Sequence, residues 1–430
     1  MKCRPSDKAP AKRLRVRGLA GVFTGEGFVR KQGRRPLPGD CGFRKGPIDM
    51  VCDEEGRIEC LHPTVARRRS GEDIVDGTGL FATAGFVDSH THAVFAGSRS
   101  REFFMRWQGS TYVEISQAGG GIHSTVQATR SAGDEQLAGS LADTLHRMLR
   151  CGCTSVEVKS GYADSAEGEI RLLQIIHRVR TRRPWPRVFA TFLGLHAVPA
   201  DHEPLAYCNE MVGALPLIAA RRLASHVDSF PERSFFPLAA SLKFSAAAAA
   251  HGLAIKVHAD ELSDLGSSEA FIRRGARSID HLQHISAAAV ALLEDSPTVA
   301  TLLPCTSFFL GVEYAAARRL LEAGARVALA SDYNPGTVPV PGLQLTLLTA
   351  ARHLKMTAPE ILCACTYNGA AALGEEEKLG VLSPGRVADF LLWQTVSHPL
   401  GDDGVEVLEE IITRSSQPVV VFVGGRPTCG

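Results

Sequence analysis

The sequence of 430 residues lacks the features that mark several special classes of protein. No apolar run approaches the ~18 residues that a membrane-spanning helix requires, which excludes a membrane channel. Lys and Arg total 47 while Asp and Glu total 46, so there is no basic excess to bind the phosphates of a nucleic acid. With 45% apolar and 22% charged residues, the composition is that of a soluble globular protein.

Cysteine is used modestly, and none of the eleven cysteines forms a CxxC pair with another. The close pairs Cys151/Cys153 and Cys363/Cys365 are separated by one residue and lie in apolar stretches. Zinc ribbons and thioredoxin-type redox sites are therefore not expected. The first 45 residues are locally basic, but no apolar run follows them, so they do not form a secretory signal. We interpret the cysteines as buried reduced thiols of a cytoplasmic protein and the basic segment as a solvated tail that leads into short strands.

Between about residues 80 and 375 the sequence repeats one pattern of apolar and polar residues. A short apolar run rich in β-branched residues ends in a polar cluster, and a helical pattern follows. This alternation predicts an α/β protein with a (β/α)8 TIM barrel over residues 81–376. A doubly wound open sheet is the alternative, but no Gly-rich phosphate loop follows an early strand. The eight runs are residues 81–92, 153–162, 187–196, 224–232, 253–261, 276–284, 298–306 and 326–334.

Helices are expected between these runs, most clearly in residues 167–183, 313–324 and 358–374, where apolar residues recur at spacings of three and four. Outside the barrel, residues 1–80 and 377–430 are rich in Gly and Pro and contain short apolar runs. Since chain termini often lie close together, we predict one small β-sandwich domain composed of both chain ends.

Histidines and acids concentrate where the apolar runs end. The carboxyl ends of barrel strands converge on one face, which is where a barrel builds its site. We therefore expect these side chains to lie together. They are His90, His92, His196, His258, His281 and Asp332.

Four of these residues suit one metal ion. His90 and His92 form an HxH pair whose side chains would share one face of a strand about 7 Å apart, although such a pair alone is common by chance. His258 ends the fifth run and Asp332 ends the eighth. Three neutral imidazoles and a carboxylate suit Zn²⁺ or Fe²⁺ and leave room for a water molecule.

Metal coordination would lower the pKa of that water to about 7, which requires a group to accept its proton. His281 and Glu261 are the candidates, and Asp332 could both bind the metal and carry the proton to a leaving nitrogen. The residues alone thus predict a metal-dependent hydrolase that acts on a carbon–nitrogen or ester bond. They do not decide between zinc and iron, or between Glu261 and His281 as the general base.

Several motifs in this order resemble the amidohydrolase superfamily and, within it, the imidazolonepropionase family. They cover the chain from about residue 80 to 375, and GVLSPGRVADFLLW (380–393) resembles the return into the small domain. The resembling motifs are DSHTHAVFAGSRSREF (88–103), QGSTYVEISQAGGGIHSTVQATR (108–130), EVKSGY (157–162), HAVP (196–199), KVHADELS (256–263), IDHLQHIS (279–286) and ASDYNPG (330–336).

The resemblance implies a cytoplasmic, metal-dependent enzyme that opens the ring of 4-imidazolone-5-propanoate to give N-formimidoyl-L-glutamate in histidine degradation. It implies one metal ion, zinc or iron, on His90, His92, His258 and Asp332, and a homodimer. It also implies that a further set of residues holds the substrate, in which the guanidinium of Arg99 suits a carboxylate. That set is Arg99, Tyr162, His196, Glu261, Asn334, Gly336 and Thr337.

The sequence departs from the family pattern at Ala163, Leu195 and Pro231, which flank the matched residues. Two other hypotheses are therefore kept. One is another cyclic amidohydrolase or a deaminase with the same metal set, against which Arg99 and Tyr162 favour a substrate with a carboxylate. The other is an inactive barrel that serves as a binding protein, which the complete ligand set disfavours.

Overall fold

The computed structural model describes residues 12–65, 71–110, 114, 119–181, 186–396 and 401–428. Parts of the basic first segment and of the motif at 108–130 lie outside the described residues. In the described part of the chain, no helix is both long enough and apolar enough to cross a membrane.

The strands form two sheets of eight. In chain order, the strands of the described residues are β1 (Leu14–Phe23), β2 (Phe43–Cys52), β3 (Ile58–Pro63), β4 (Asp73–Asp76), β5 (Leu80–Ala84), β6 (Phe86–Asp88), β7 (Cys153–Lys159), β8 (Arg187–Leu195), β9 (His226–Ser229), β10 (Ala254–Ala259), β11 (Ser278–His281), β12 (Val299–Leu302), β13 (Arg326–Leu329), β14 (Phe390–Gln394), β15 (Val420–Val423) and β16 (Arg426–Pro427).

Most of the helices lie between the barrel strands. In chain order, the α-helices of the described residues are α1 (Glu26–Arg30), α2 (Ser100–Trp107), α3 (Ile122–Ser131), α4 (Asp134–Arg150), α5 (Ala166–Arg180), α6 (Pro204–Ala220), α7 (Leu238–Ala250), α8 (Ser267–Ile272), α9 (Ala287–Leu293), α10 (Pro304–Leu310), α11 (Ala317–Ala323), α12 (Gln344–His353), α13 (Ala358–Cys365), α14 (Tyr367–Ala372) and α15 (Val405–Thr413). A 3₁₀ turn covers Pro38–Cys41.

The barrel predicted from the eight runs is confirmed. Strands β6 to β13 are parallel and neighbour one another in chain order. The first and last strands are joined beyond their ends, where Asp332 N donates to His90 O at 3.1 Å and His92 N donates to Tyr333 O at 2.9 Å. These bonds nearly close the barrel and bring the first and last candidate ligands to the same place.

The first run divides between the two sheets. Its initial part is β5, which pairs with β1 and β14 outside the barrel, and its final part is β6, which pairs with β7. A single residue, Gly85, separates the two strands. A Cβ at Gly85 would collide with the side chain of Thr154, so only glycine allows the chain to pass here.

The predicted β structure composed of both chain ends is present, as a single sheet rather than as a sandwich of two. Its strands form one mixed sheet in the order β16-β15-β14-β5-β1-β2-β3, with β4 paired to β1. One face buries a separate apolar core that includes Phe390 and Phe422. Arg187 Nε at the start of β8 donates to Asp389 Oδ2 beside β14 at 2.8 Å, which ties this sheet to the barrel.

The predicted helices are present, with one difference. Residues 167–183 give α5, and residues 313–324 give α11, which ends at Gly324 with a left-handed φ of 87° as a C-cap requires. The pattern at 358–374 instead forms two helices, α13 and α14, because Thr366 departs from helical geometry with φ −123° and ψ −86°. The predicted burial of the cysteines holds for seven of them in the described part of the chain (Cys41, Cys52, Cys153, Cys208, Cys305, Cys363, Cys365).

The stacked pair Phe390 and Phe422 provides a test of the chain-end sheet. The two residues are directly paired across β14 and β15, both are fully buried, and their ring centroids are 4.2 Å apart. We expect Phe422→Ala to lower the free energy of unfolding by about 3–5 kcal/mol, because it leaves a cavity in a closed core. Phe104→Ala is the matched control, since Phe104 is 61% exposed and its loss should cost under ~1 kcal/mol. Urea denaturation followed by circular dichroism measures both, and equal effects would contradict the packing described here.

Candidate active site

The predicted metal ligands lie together at the carboxyl ends of the barrel strands. His90 and His92 follow β6, His258 lies in β10 and Asp332 follows β13, and all four side chains are buried. The Nε2 atoms of His90 and His92 are 3.3 Å apart and lie 3.7 and 3.5 Å from Asp332 Oδ1. The rings of His90 and His258 meet edge to face with centroids 4.6 Å apart.

Two buried aspartates fix which ring nitrogen of each imidazole faces the centre. His90 Nδ1 donates to Asp280 Oδ2 at 2.6 Å, and His258 Nδ1 donates to Asp228 Oδ1 at 3.1 Å. Since each Nδ1 carries the proton, each Nε2 presents its lone pair. A carboxylate behind a metal-binding imidazole also makes the imidazole a better ligand.

A buried ionic network lies beneath these aspartates. Lys159 Nζ donates to Asp228 Oδ2 at 2.6 Å and lies 2.9 Å from Glu157 Oε2. Lys256 Nζ lies 3.6 Å from both Glu157 Oε2 and Asp280 Oδ2, and it donates to the carbonyl of the residue before His90 at 3.0 Å. Thr191 Oγ1 donates to the other oxygen of Glu157. Each buried charge thus has a partner, as it must in a medium of low dielectric constant.

The arrangement fits a divalent cation. Burial lowers the pKa of His90 and of His92 well below the ordinary value, so both imidazoles are neutral, which is the form that binds metal. The Nε2 atoms of His90 and His92 converge with Asp332 Oδ1 within 4 Å of one another, as the ligands of one ion would. The two ammonium groups of the network are outnumbered by four carboxylates (Glu157, Asp228, Asp280, Asp332), and a divalent ion would neutralise this excess.

An unusual backbone conformation orients several side chains of the site. His281 has φ 80°, Leu282 has φ 67° and Asp332 has φ 56°, all in the left-handed region that non-glycine residues rarely adopt. Such strain persists only where the surroundings enforce it, and it concentrates at functional sites. Thr306 in α10 holds Asp332 in place by donating from Oγ1 to Oδ2 at 2.6 Å.

The two candidate proton acceptors are neighbours. His281 Nδ1 lies 3.6 Å from Glu261 Oε1, and the rings of His281 and His258 have centroids 5.1 Å apart. Burial raises the pKa of Glu261 to about 8, and burial lowers the pKa of His281 well below its ordinary value. Neither ring nitrogen of His281 has a hydrogen-bond partner among the described residues. The pair thus offers a protonated carboxyl group and a free imidazole lone pair at the centre.

Tyr162 and His196 form one wall of the site. The His196 ring stacks on His92 with centroids 5.0 Å apart, and the Tyr162 ring lies 5.3 Å from that of His196. His196 Nδ1 donates to the carbonyl of Gly161 at 2.9 Å. The buried carboxylate of Glu169 accepts from the backbone on both sides of Tyr162, from Gly161 N at 2.6 Å and from the N–H of residue 163 at 2.8 Å.

The loop after β13 forms the opposite wall. Asn334 Oδ1 accepts from Gly336 N at 2.9 Å and from both Thr337 N and Thr337 Oγ1 at 2.7 Å, so this side chain shapes its own loop. Its amide donates to the carbonyl of Asp332 at 2.7 Å. The guanidinium of Arg99 rests against Gly336, which leaves no room there for a Cβ.

The contacts thus bring the candidate ligands, Glu261, His281, Tyr162 and His196 together, and they connect Asn334, Gly336, Thr337 and Arg99 to Asp332 through the loop after β13. The sequence did not reveal the groups that support these residues. Asp228, Asp280, Lys256 and Thr306 were not predicted because each acts on a residue distant in the chain. Glu169 was not predicted because it contacts backbone N–H groups and no predicted side chain. The available signal was that Asp228 and Asp280 end apolar runs, as the ligands do. The residues that depart from the family pattern are buried, and Ala163 and Leu195 belong to the main apolar core.

Comparison with known proteins agrees with this geometry. Residues 81–428 match the amidohydrolase family. An imidazolonepropionase of Caldanaerobacter subterraneus is 40% identical over 397 residues, which cover 91% of this chain and 95% of that protein. An imidazolonepropionase of Bacillus velezensis is 41% identical over 348 residues, 80% of this chain and 82% of that protein.

The fold is also that of solved structures. An adenosine deaminase from Xanthomonas campestris with bound zinc superposes with a TM-score of 0.72 at 16% identity, over 96% of this chain and 92% of that one. At this identity the likeness speaks for the fold alone, whereas the relatives above share both the sequence and nearly the full length. The chain therefore belongs to the imidazolonepropionase family of the amidohydrolases.

Proposed function

We propose that the protein hydrolyses 4-imidazolone-5-propanoate to N-formimidoyl-L-glutamate. The observation that carries this proposal is the buried His/Asp centre in a chain of this family, and it is supported by the Arg99 guanidinium, which lies against Gly336 in the loop that follows Asp332. The centre suits the hydrolysis of a C–N bond in a ring, and the guanidinium suits the binding of a carboxylate on the side chain of that ring.

One divalent metal ion, zinc or iron, would be held by His90, His92, His258 and Asp332. When bound, such an ion lowers the pKa of a water molecule to about 7 and polarises a carbonyl group. The neutral imidazoles and the aspartates behind them support this ligand set. Zn²⁺ and Fe²⁺ both suit it, so availability decides between them.

Glu261 and His281 would manage the proton and the developing charge. The attacking water must lose a proton, and the ring nitrogen that leaves must gain one. In its ionised form, which the charge of a nearby divalent ion would favour, Glu261 would accept the water's proton. Burial, which raises the pKa of Glu261 to about 8, suits it to hold that proton until the leaving nitrogen takes it. His281 would face the ring carbonyl and stabilise the charge on its oxygen as water adds. Asp332, with a pKa raised by burial to about 6, is the second group that can carry the proton.

The walls of the pocket would orient the substrate. Arg99 binds the propanoate carboxylate, and Tyr162 and His196 contact the imidazolone ring. The backbone of Gly336 and Thr337 closes the other side, and Asn334 keeps that loop in shape. Buried walls also exclude bulk water, which strengthens each of these electrostatic contacts.

Three further features belong to the same proposal. The division into a chain-end domain (1–80 and 377–430) and a barrel (81–376) stays a prediction. A homodimer and a cytoplasmic location are proposed on the family resemblance alone.

The reaction itself is the first prediction. Purified protein should convert fresh 4-imidazolone-5-propanoate, faster than its spontaneous decay, into a product heavier by one water molecule. Chelation of the metal should abolish the acceleration, and Zn²⁺ or Fe²⁺ should restore it. A mass-spectrometric time course measures both. Absence of acceleration by folded, metal-loaded protein would contradict the proposal and favour a different cyclic amide.

Asp332→Ala should abolish turnover while the protein still folds, because it removes a metal ligand and a proton carrier but little of the core. Circular dichroism checks the fold, and the same mass-spectrometric assay checks turnover. Asp143→Ala is the control, since Asp143 is exposed on α4, and it should keep full activity. Unchanged turnover in Asp332→Ala would refute the ligand assignment.

Asp280→Asn should weaken metal binding about 10–100-fold, because an amide no longer fixes the proton on His90 Nδ1. Competition with a chromophoric chelator gives the metal dissociation constant directly, without reference to turnover. Asp49→Asn is the control, because Asp49 is equally buried but pairs with Arg15 in the chain-end sheet. If the two variants bind metal equally well, the support of His90 by Asp280 has no bearing on the metal.

A further inference from the structure

Arg99 is held from one side by a buried carboxylate. Arg99 Nε lies 3.0 Å from both oxygens of Glu102, and Nη2 donates to Oε2 at 2.8 Å. Glu102 is 6% exposed, and its Oε1 also accepts from Gly121 N at 3.0 Å. The Nε edge of the guanidinium is therefore occupied, and the edge formed by the two terminal nitrogens remains for a ligand.

Gly336 confines the guanidinium from the other side. A Cβ at Gly336 would fall on Arg99 Nη1, so the guanidinium fills the space that a side chain would take. Gly336 does not have a left-handed φ, so its backbone would accept alanine. The requirement for glycine comes from the guanidinium, and alanine would displace that flexible group rather than strain the loop.

The charges around this pair favour an anion. Arg106, one turn further along α2, lies near enough for its charge to act together with those of Arg99 and Glu102. Two guanidinium charges thus act together with one carboxylate charge. Tyr162 is near both this group and the candidate metal ligands, since its ring centroid lies 5.9 Å from that of His92 and the charges of Arg99 and Asp332 both act on its hydroxyl.

We propose that Glu102 is a positioning residue that makes the site selective for substrates with an anionic side chain, by fixing Arg99 against Gly336. This proposal deepens the function proposed above and rests on it. Free in solution, an arginine side chain has much rotamer entropy to lose on binding. With Glu102 on the Nε edge and Gly336 against Nη1, much of that entropy is already lost before the ligand arrives, and the edge formed by the two terminal nitrogens is held open in one direction.

A comparison of two ligands isolates this role. The probes are 3-(imidazol-4-yl)propanoate and its uncharged amide, which differ only in the group that Arg99 would contact. Their dissociation constants are measured by calorimetry on the metal-loaded protein, and the substrate's KM and kcat are measured in parallel. We expect Glu102→Gln to weaken binding of the acid about tenfold and binding of the amide less than about twofold. KM should rise about as much as the acid's dissociation constant, with kcat nearly unchanged, because the contact is equal in ground state and transition state.

Gly336→Ala is the second variant, and it should cause the same acid-selective loss without changing Glu102. Arg101→Gln is the control, because Arg101 is an exposed neighbour on the same helix, and it should alter neither ligand. The outcome supports the proposal if both test variants lose the acid selectively.

Three results would overturn the proposal. Equal weakening of acid and amide binding would mean that Glu102 has a structural role alone, and tighter binding of the acid by Glu102→Gln would mean that Glu102 competes with the ligand's carboxylate for Arg99. Equal binding of the two probes by the unchanged protein would mean that the site does not select for the carboxylate. Since binding is measured without turnover, a protein that prefers the acid but does not hydrolyse the substrate would contradict the proposed reaction and leave the role of Glu102 standing.

Discussion

The site depends on the pairing of ionised side chains inside the barrel. Lys159 and Lys256 are fully buried, and they are stable there because Glu157 and Asp280 lie within 4 Å of both ammonium groups and Asp228 pairs with Lys159. Burial acts to lower the pKa of Lys159, but the attraction of these carboxylates outweighs burial and raises the pKa above its usual value. Asp228 and Asp280 also accept hydrogen bonds from His258 and His90. The charge pairing that stabilises the buried lysines therefore also orients two of the candidate metal ligands.

This pairing couples the fold to the chemistry. The register that places His258 beside Asp280 on the next strand is the register that brings Lys256 within reach of both Glu157 and Asp280. A shift of β10 by one residue would turn His258 away from the centre and bury Lys256 without its partners. The network therefore opposes alternative registers more strongly than apolar packing alone would, because an unpaired buried charge is far more costly than a poor apolar contact.

Much of the fold and of the site could be predicted from the sequence, and a physical reason separates the features that could be predicted from those that could not. Residues at strand ends were predictable because parallel strands carry their carboxyl ends to one face, which is why His90, His258 and Asp332 were found together. Pairings such as His90 with Asp280 were not, because they depend on the register of strands nearly 200 residues apart. The role of Glu102 escaped for another reason: its neighbour Arg99 is close in sequence, but an i, i+3 pair on a helix is ordinary until Gly336 is seen against it. The split at Thr366 was hidden by an apolar period that continues across both helices.

The short connection of one residue between β5 and β6 limits how the two sheets can move relative to each other. The strand that pairs with the chain-end sheet continues through Gly85 into the strand that precedes His90 and His92, and the adjacent Asp389 ties the two sheets again through Arg187. A hinge motion between the two sheets would need a flexible linker between β5 and β6, and the single residue Gly85 does not provide one. Substrate entry and product exit must therefore be accommodated by loops at the barrel mouth, and insertions in evolution are expected to accumulate in those loops and at the sheet's far edge rather than between residues 80 and 92.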